Sequence, residues 1–170
     1  MIGLRAVKSV FTILQSENSP MQIAGGVAIG LFMGFSPFNG PQNYLLMILL
    51  FFLNVNVASA TVATALFSGL AALLDPVAHK LGFALLVSND SLTPFWTALY
   101  NLPVVPFTRF NNTVVLGSFV LALILVIPVI FLTRAFILYY RAHWRERVGK
   151  VGVVKWLSGL NTALGIKEKL

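Results

Sequence analysis

Residues 22–74 contain no charged side chain, and an eight-residue stretch dense in Pro, Gly and amides, Ser36-Pro37-Phe38-Asn39-Gly40-Pro41-Gln42-Asn43, interrupts that run. An uncharged run of this length holds two membrane crossings at about 20 residues each. The interruption, with a second polar break at Asn54-Val55-Asn56, cuts it into residues 20–35, 41–53 and 57–74. At about 1.5 Å rise per residue the first two pieces are short for a hydrocarbon core of about 30 Å, and only the third approaches spanning length. Short apolar pieces joined by a Pro/Gly turn read as a re-entrant hairpin, whose irregular backbone must be covered by protein or a wet cavity.

The rest of the composition excludes the soluble alternatives. Hydrophobic residues are 58% of the chain and charged residues 10%, against about a quarter charged in a soluble domain. The formal charge is +7, yet only Glu17 and Asp75 lie between Lys8 and Lys80, so the basicity gathers at the two ends. A nucleic-acid binder spreads positive charge along a folded, solvated face; charge flanking apolar sequence points instead to lipid headgroups and away from nucleic acid. The chain has no Cys, which removes disulfides and thiolate chemistry. Its first 17 residues lack a small-residue cleavage pattern and are not read as a signal peptide.

Helix starts are marked where a capping residue precedes Pro: Ser19-Pro20, Asp75-Pro76, Thr93-Pro94 and, more weakly, Gly40-Pro41. Residues 114–132 are uncharged, contain Pro128 and stop at Arg134, giving the clearest transmembrane helix. After it come Arg141, Trp144, Arg145, Arg147 and Lys150, a basic and aromatic segment that reads as an interfacial contact to lipid headgroups on the cytoplasmic side. Arg5 and Lys8 place the N-terminus on that side as well. The expected fold is an all-α membrane protein: an amphipathic helix over 1–18, a membrane domain over 19–133 and a basic interfacial segment over 134–170. The membrane domain comprises a hairpin 20–53, a span 57–74, a partial insertion 76–110 and a span 114–132. Sliding the chain by 57 positions aligns Ser36-Pro37-Phe38 with Thr93-Pro94-Phe95 and Gly25 with Gly82, which raises an inverted repeat of the kind that transporters use.

Within this frame three groups of residues stand out. Gly26, Gly30 and Gly34 give one helix a flat face, and Ala60, Thr64 and Ser68 form a small stripe on the span; both fit close helix packing of the hairpin on that span. At the hairpin tip Asn39, Gln42 and Asn43 place amides at depth beside Ser36, Pro37 and Gly40. They either satisfy the turn's own backbone or attend a ligand at a half-helix N-terminus. Asp75 borders the long apolar run with His79 one turn on, and is either an N-cap or an ionisable site. Nothing here assembles catalysis: no paired carboxylates, no His cluster, no phosphate-binding glycine loop, and no metal or cofactor signature.

The stretch 26–42, with Gly26, Gly30, Phe32, Gly34, Pro37, Gly40 and Gln42 at the spacing Gly-x-x-x-Gly-x-Phe-x-Gly-x-x-Pro-x-x-Gly-x-Gln, resembles the bacterial family known as domain of unknown function 2062. Asn56, Asp75-Pro76 and Leu81-Gly82 continue the likeness, which covers about residues 20–90. Asp75 departs from the Asn usual there. The resemblance implies a small bacterial inner-membrane protein and no activity. Three functions follow as expectations: a non-enzymatic lipid-handling protein or membrane subunit of an envelope lipid-transport assembly, a small-solute or ion-coupled transporter or channel, or an oligomeric scaffold. A larger protein partner or a second copy is expected beside membrane lipid.

Overall fold

The computed structural model describes residues 2–37 and 39–145. Among them the chain is all-helical, with six α-helices: α1 (Ile2–Gln15), α2 (Pro20–Phe35), α3 (Pro41–Phe52), α4 (Val57–Leu86), α5 (Thr93–Tyr100) and α6 (Thr113–His143), plus single 3₁₀ turns at Asp90–Leu92 and Val105–Thr108. Local chemistry sets most of the starts. Ser19 caps α2 in a reciprocal capping box, its side chain accepting from the Gln22 N–H while the Gln22 amide accepts from the Ser19 N–H. Asn56 caps α4 through the Ser59 N–H, and Asn112 caps α6 through Val114 and Val115. Gly40 precedes α3 without a side-chain cap.

Three long packing relations order the bundle. α2 runs parallel to α4: Gly26 lies against Asn56 and Ser59, Gly30 against Ala60, Ala63 and Thr64, and Gly34 against Thr64, Phe67 and Ser68. α6 runs antiparallel to both, with Gly82 of α4 against Thr113 and Gly117 of α6 against Ala78. Ile13, Ile23 and Ile137 form the core at one end, and Leu31, Phe35 and Ala122 form it further along. α3 returns beside α2, and the Asn56 N–H donates to the Gln22 carbonyl at 3.0 Å. The α2–α3 unit is therefore a helical hairpin that begins and ends at the same end of the bundle. At about 24 and 18 Å its helices are roughly half as long as α4 and α6, which reach about 45 Å.

Only α4 and α6 are long and apolar enough, among the described residues, to cross a membrane; their apolar windows are 17% and 22% buried. A core helix of a soluble protein is mostly buried, so these two present apolar side chains that the chain itself leaves uncovered.

The structure corrects three expectations. Asp75-Pro76 does not start a helix: α4 continues through Pro76 to Leu86. The proline removes one backbone bond, to the Ala72 carbonyl, and the helix runs on through it, with Ala78 and Gly82 packed closely on α6. The inverted repeat fails with it, because residues 76–86 run antiparallel to α6 whereas α2 runs parallel to α4. Thr93 is the first residue of α5 and not its cap, which is Leu92, the last residue of a 3₁₀ turn that Asn89 caps.

Candidate functional site

The glycine seam positions everything else. A Cβ at Gly30 would lie 2.6 Å from the Ala60 carbonyl oxygen and 2.6 Å from the Ala63 Cβ. At Gly34 it would lie 2.7 Å from the Phe67 Cβ and 2.9 Å from the Ser68 N, and at Gly26 it would overlap the Ser59 hydroxyl. Each is closer than any real side chain permits, so the backbones of α2 and α4 meet directly, as small-residue helix contacts do. Ser68 contributes its backbone; its side chain is exposed. Ser59 is buried and donates to the Ile23 and Asn56 carbonyls, joining the helices with a polar bond inside the seam.

The seam holds the α2–α3 turn at a fixed height against α6. Within that turn the Pro37 carbonyl accepts from both the Gly40 N–H at 3.0 Å and the buried Asn43 amide at 3.1 Å. Asn43 thus satisfies the turn's own backbone, while Asn39 is exposed. Gln42 folds back over Gly40, where a Cβ would meet its amide carbon and oxygen at 2.5 Å. The Gln42 amide nitrogen donates across to the Thr108 carbonyl at 3.5 Å, linking two turns 66 residues apart in sequence. The Gln42 Oε1 is buried and has no hydrogen-bond partner.

Between this turn, α5, the Val105–Thr108 turn and the first half of α6 lies a cavity of about 480 Å³, within the roughly 300–1,000 Å³ of small-molecule sites. Ser36 and Gln42 border it on one side, Trp96, Leu99 and Thr108 on another, and Phe119 and Leu123 on the third. No charged residue lines it. The Trp96 indole donates to the Leu85 carbonyl at 2.8 Å and its ring sits 5.9 Å from that of Phe110, which fixes the aromatic wall. A second cavity of about 360 Å³ lies among α1, α2, α4 and α6. Ser59, on its wall, already spends its hydroxyl in the seam, and apart from Ser59 and Thr133 that wall is apolar.

The other residues singled out in sequence do not join this site. Asp75 is exposed in mid-helix and makes no ion pair or hydrogen bond among the described residues. His79 bonds Thr113 Oγ1 at 2.7 Å through its Nδ1 rather than pairing with Asp75, and no group of three potential metal ligands exists among the described residues. At the opposite end Arg141 donates to the Ser16 and Asn18 carbonyls at 2.9 and 2.7 Å, and Arg145 pairs with Glu17. These two guanidiniums pin the α1–α2 connection to the end of α6; Arg134 and Trp144 remain exposed. Arg147 and Lys150 lie outside the described residues. Sequence reasoning passed over Gly117, Trp96 and Thr108. Gly117 sits opposite Ala78, a small-residue pairing visible only once α4 and α6 are known to be antiparallel.

A protein of Treponema pallidum (strain Nichols), described as an uncharacterized protein, is similar to this chain: 29% identical over 146 residues, which cover 85% of this chain and 89% of the relative. No solved structure matches. The family described as "Uncharacterized protein conserved in bacteria (DUF2062)" matches residues 5–146, so the likeness extends past the stretch 20–90 that the motif marks, through α5 and α6 to the basic end. With the seam, the Gly40–Gln42 turn and both long helices inside the matched region, the chain belongs to the DUF2062 family.

Proposed function

We propose that this chain is a non-enzymatic integral protein of the bacterial inner membrane that handles lipid, alone or as the membrane subunit of a larger envelope lipid-transport assembly. The cavity between the α2–α3 turn and α5 is where a lipid chain sits. The observation that carries this reading is the character of that cavity: uncharged walls, and a rim that includes the exposed Phe95, Phe119 and Leu123. The surroundings that reach such a rim are hydrocarbon, because the α6 side chains beside it belong to the longest apolar stretch of the chain.

In this reading α4 and α6 cross the bilayer and the α2–α3 hairpin is re-entrant. Arg134, Arg141 and Arg145 share one end of the bundle with the start of α2, which the excess of basic residues assigns to the cytoplasm. α2 then enters from the cytoplasm, α3 returns, α4 crosses outward and α6 crosses back, so both chain ends face inward. Transfer into a lipid nanodisc, followed by mass spectrometry of everything retained, tests the proposal. Defined lipid held by the wild-type protein and lost from Leu123→Trp, which fills the cavity, is the expected result. Equal retention by both proteins would overturn it.

One observation favours a second reading, the ion-coupled carrier. Asp75 lies about six residues inside the apolar length that α4 shares with α6, and it has no partner among the described residues. Intramembrane acids commonly mark ion pathways. Proton flux in proteoliposomes that disappears with Asp75→Asn, while lipid retention is unchanged, would put this reading in place of the first.

A further inference from the structure

We infer that the cavity selects a neutral lipid whose polar end is a hydroxyl, such as a diacylglycerol or long-chain alcohol, and that Gln42, seated by the absent side chain of Gly40, is the residue that reads it. The inference rests on the lipid-handling reading and adds the ligand's chemical class.

The walls decide against a charged headgroup. Ser36, Gln42 and Thr108 supply the polar groups of the lining named above, and no Lys, Arg or His is among the residues that line it. A phosphate drawn into that space would sit in an apolar setting without a counter-charge, a placement that costs far more than leaving it in water. Arg109, the basic residue adjoining Thr108 in sequence, is exposed and is not part of the wall.

The hydrogen-bond inventory then says which neutral group fits. The Thr108 hydroxyl already donates to the Val105 carbonyl at 2.7 Å, and the Thr108 carbonyl takes the Gln42 amide nitrogen. That bond orients the amide and leaves Gln42 Oε1 as a buried acceptor without a donor. Buried acceptors in folded proteins are nearly always satisfied, and an amide oxygen is satisfied by an O–H or N–H. A lipid hydroxyl brings that donor with no charge. Ester carbonyls bring only acceptors; the Ser36 hydroxyl suits them in any glycerolipid, so they do not discriminate between lipids, whereas the donor that Gln42 needs does.

Gly40 explains why the amide lies where it does. Its backbone, at φ −82° and ψ 148°, is one that any residue adopts, so the glycine serves no turn conformation. What a methyl group there would meet is the Gln42 amide, at 2.5 Å from both Cδ and Oε1. Gly40→Ala therefore displaces the reading group while leaving the backbone geometry permitted, and Gln42→Leu deletes it.

Trp96 stands in the cavity wall and reports on its contents. The full chain carrying Trp144→Phe and Trp156→Phe, which leaves Trp96 as the sole indole of three, is placed in phosphatidylethanolamine/phosphatidylglycerol nanodiscs. These are doped with a small fraction of acyl-brominated diacylglycerol or acyl-brominated phosphatidylglycerol. The expected result is about fivefold stronger quenching of Trp96 by the diacylglycerol, the weight of one hydrogen bond, with the ratio falling to about one in both Gly40→Ala and Gln42→Leu. Equal quenching by the two lipids, above the level their mole fraction sets, would overturn the hydroxyl selection and leave lipid binding standing. Quenching at the mole-fraction level for both would remove the lipid-handling reading itself. A preference for phosphatidylglycerol, or a fivefold ratio that survives Gln42→Leu, would also overturn the inference.

Discussion

The α2–α4 seam and the cavity beneath α5 are built from the same kind of sequence, apolar and uncharged, and they use it in opposite ways. Along the seam the residues are Gly, Ala, Ser and Thr, and two backbones approach until no methyl group fits between them. Around the cavity the residues are Trp, Phe, Leu and Val, and their bulk holds α3, α5 and α6 apart by enough to leave a ligand-sized space. Hydrophobicity alone does not separate the two regions, whereas side-chain volume does. In surroundings as apolar as the side chains themselves, helices associate through fit, so small residues mark where the chain is closed and large rings mark where it stays open.

Substitutions that add volume test this contrast most directly. Gly30→Leu should have the largest effect, a loss of about 3 kcal/mol at the upper end of overpacking costs, because the atoms it meets are largely backbone and cannot yield. The midpoint of reversible unfolding in mixed micelles measures it, and a midpoint near that of the wild type would mean that the seam is not close-packed. Arg141→Ala comes next. It removes charge-assisted bonds to two carbonyls at the seam's basic end, and a loss of about 2 kcal/mol is expected, read as earlier proteolytic cleavage between α1 and α2 together with a lower unfolding midpoint. Leu123→Trp adds less volume than Gly30→Leu and adds it at the wall of an open cavity. It should cost less than about 1.5 kcal/mol while abolishing lipid retention. The smallest effect sharpens the contrast from the other side. Gly69, in the same helix as the seam, has nothing within 4 Å of its missing Cβ, so Gly69→Ala should stabilise the protein by about 0.5–1 kcal/mol. Destabilisation there would reveal a contact that the single chain does not contain.

How far the fold could be read from sequence depended on the range of the interactions involved. The starts of α2 and α4 were readable because their signals are local: Ser19-Pro20 marks the one and the polar break Asn54-Val55-Asn56 the other, and the caps found there, Ser19 with Gln22 and Asn56 with Ser59, act within three residues. The seam was readable because each stripe repeats every fourth residue within a single helix, so two matching stripes are visible before their contact is. Asp75-Pro76 offered the same local cue as Ser19-Pro20, and there the cue misled. What decides that position is the packing of Ala78 and Gly82 against Gly117 and Thr113, more than 30 residues away, and once α4 runs on, the repeat that needed a break there has no basis. The cavity was beyond sequence altogether. Its walls come from residues 36 to 123, and the bond that closes it joins Gln42 to Thr108. Only the Gly40–Gln42 spacing showed beforehand, as part of a motif without a physical reason; the seating of an amide over a missing Cβ is that reason.

The parallel course of α2 beside α4 also fixes an order of events during synthesis. The ribosome releases α2 and α3 before any of the surface they fit, since the matching stripe does not begin until residue 56 and is not complete until residue 68. Until then the hairpin's glycine face is bare and its two helices are each shorter than a bilayer is thick. The helix that secures the hairpin is made after it, so α4 acts as the late partner that draws an already synthesised segment into place. A chain truncated after Phe52 and released holds the hairpin in its unsecured state, and one truncated after Leu86 and released has passed beyond it.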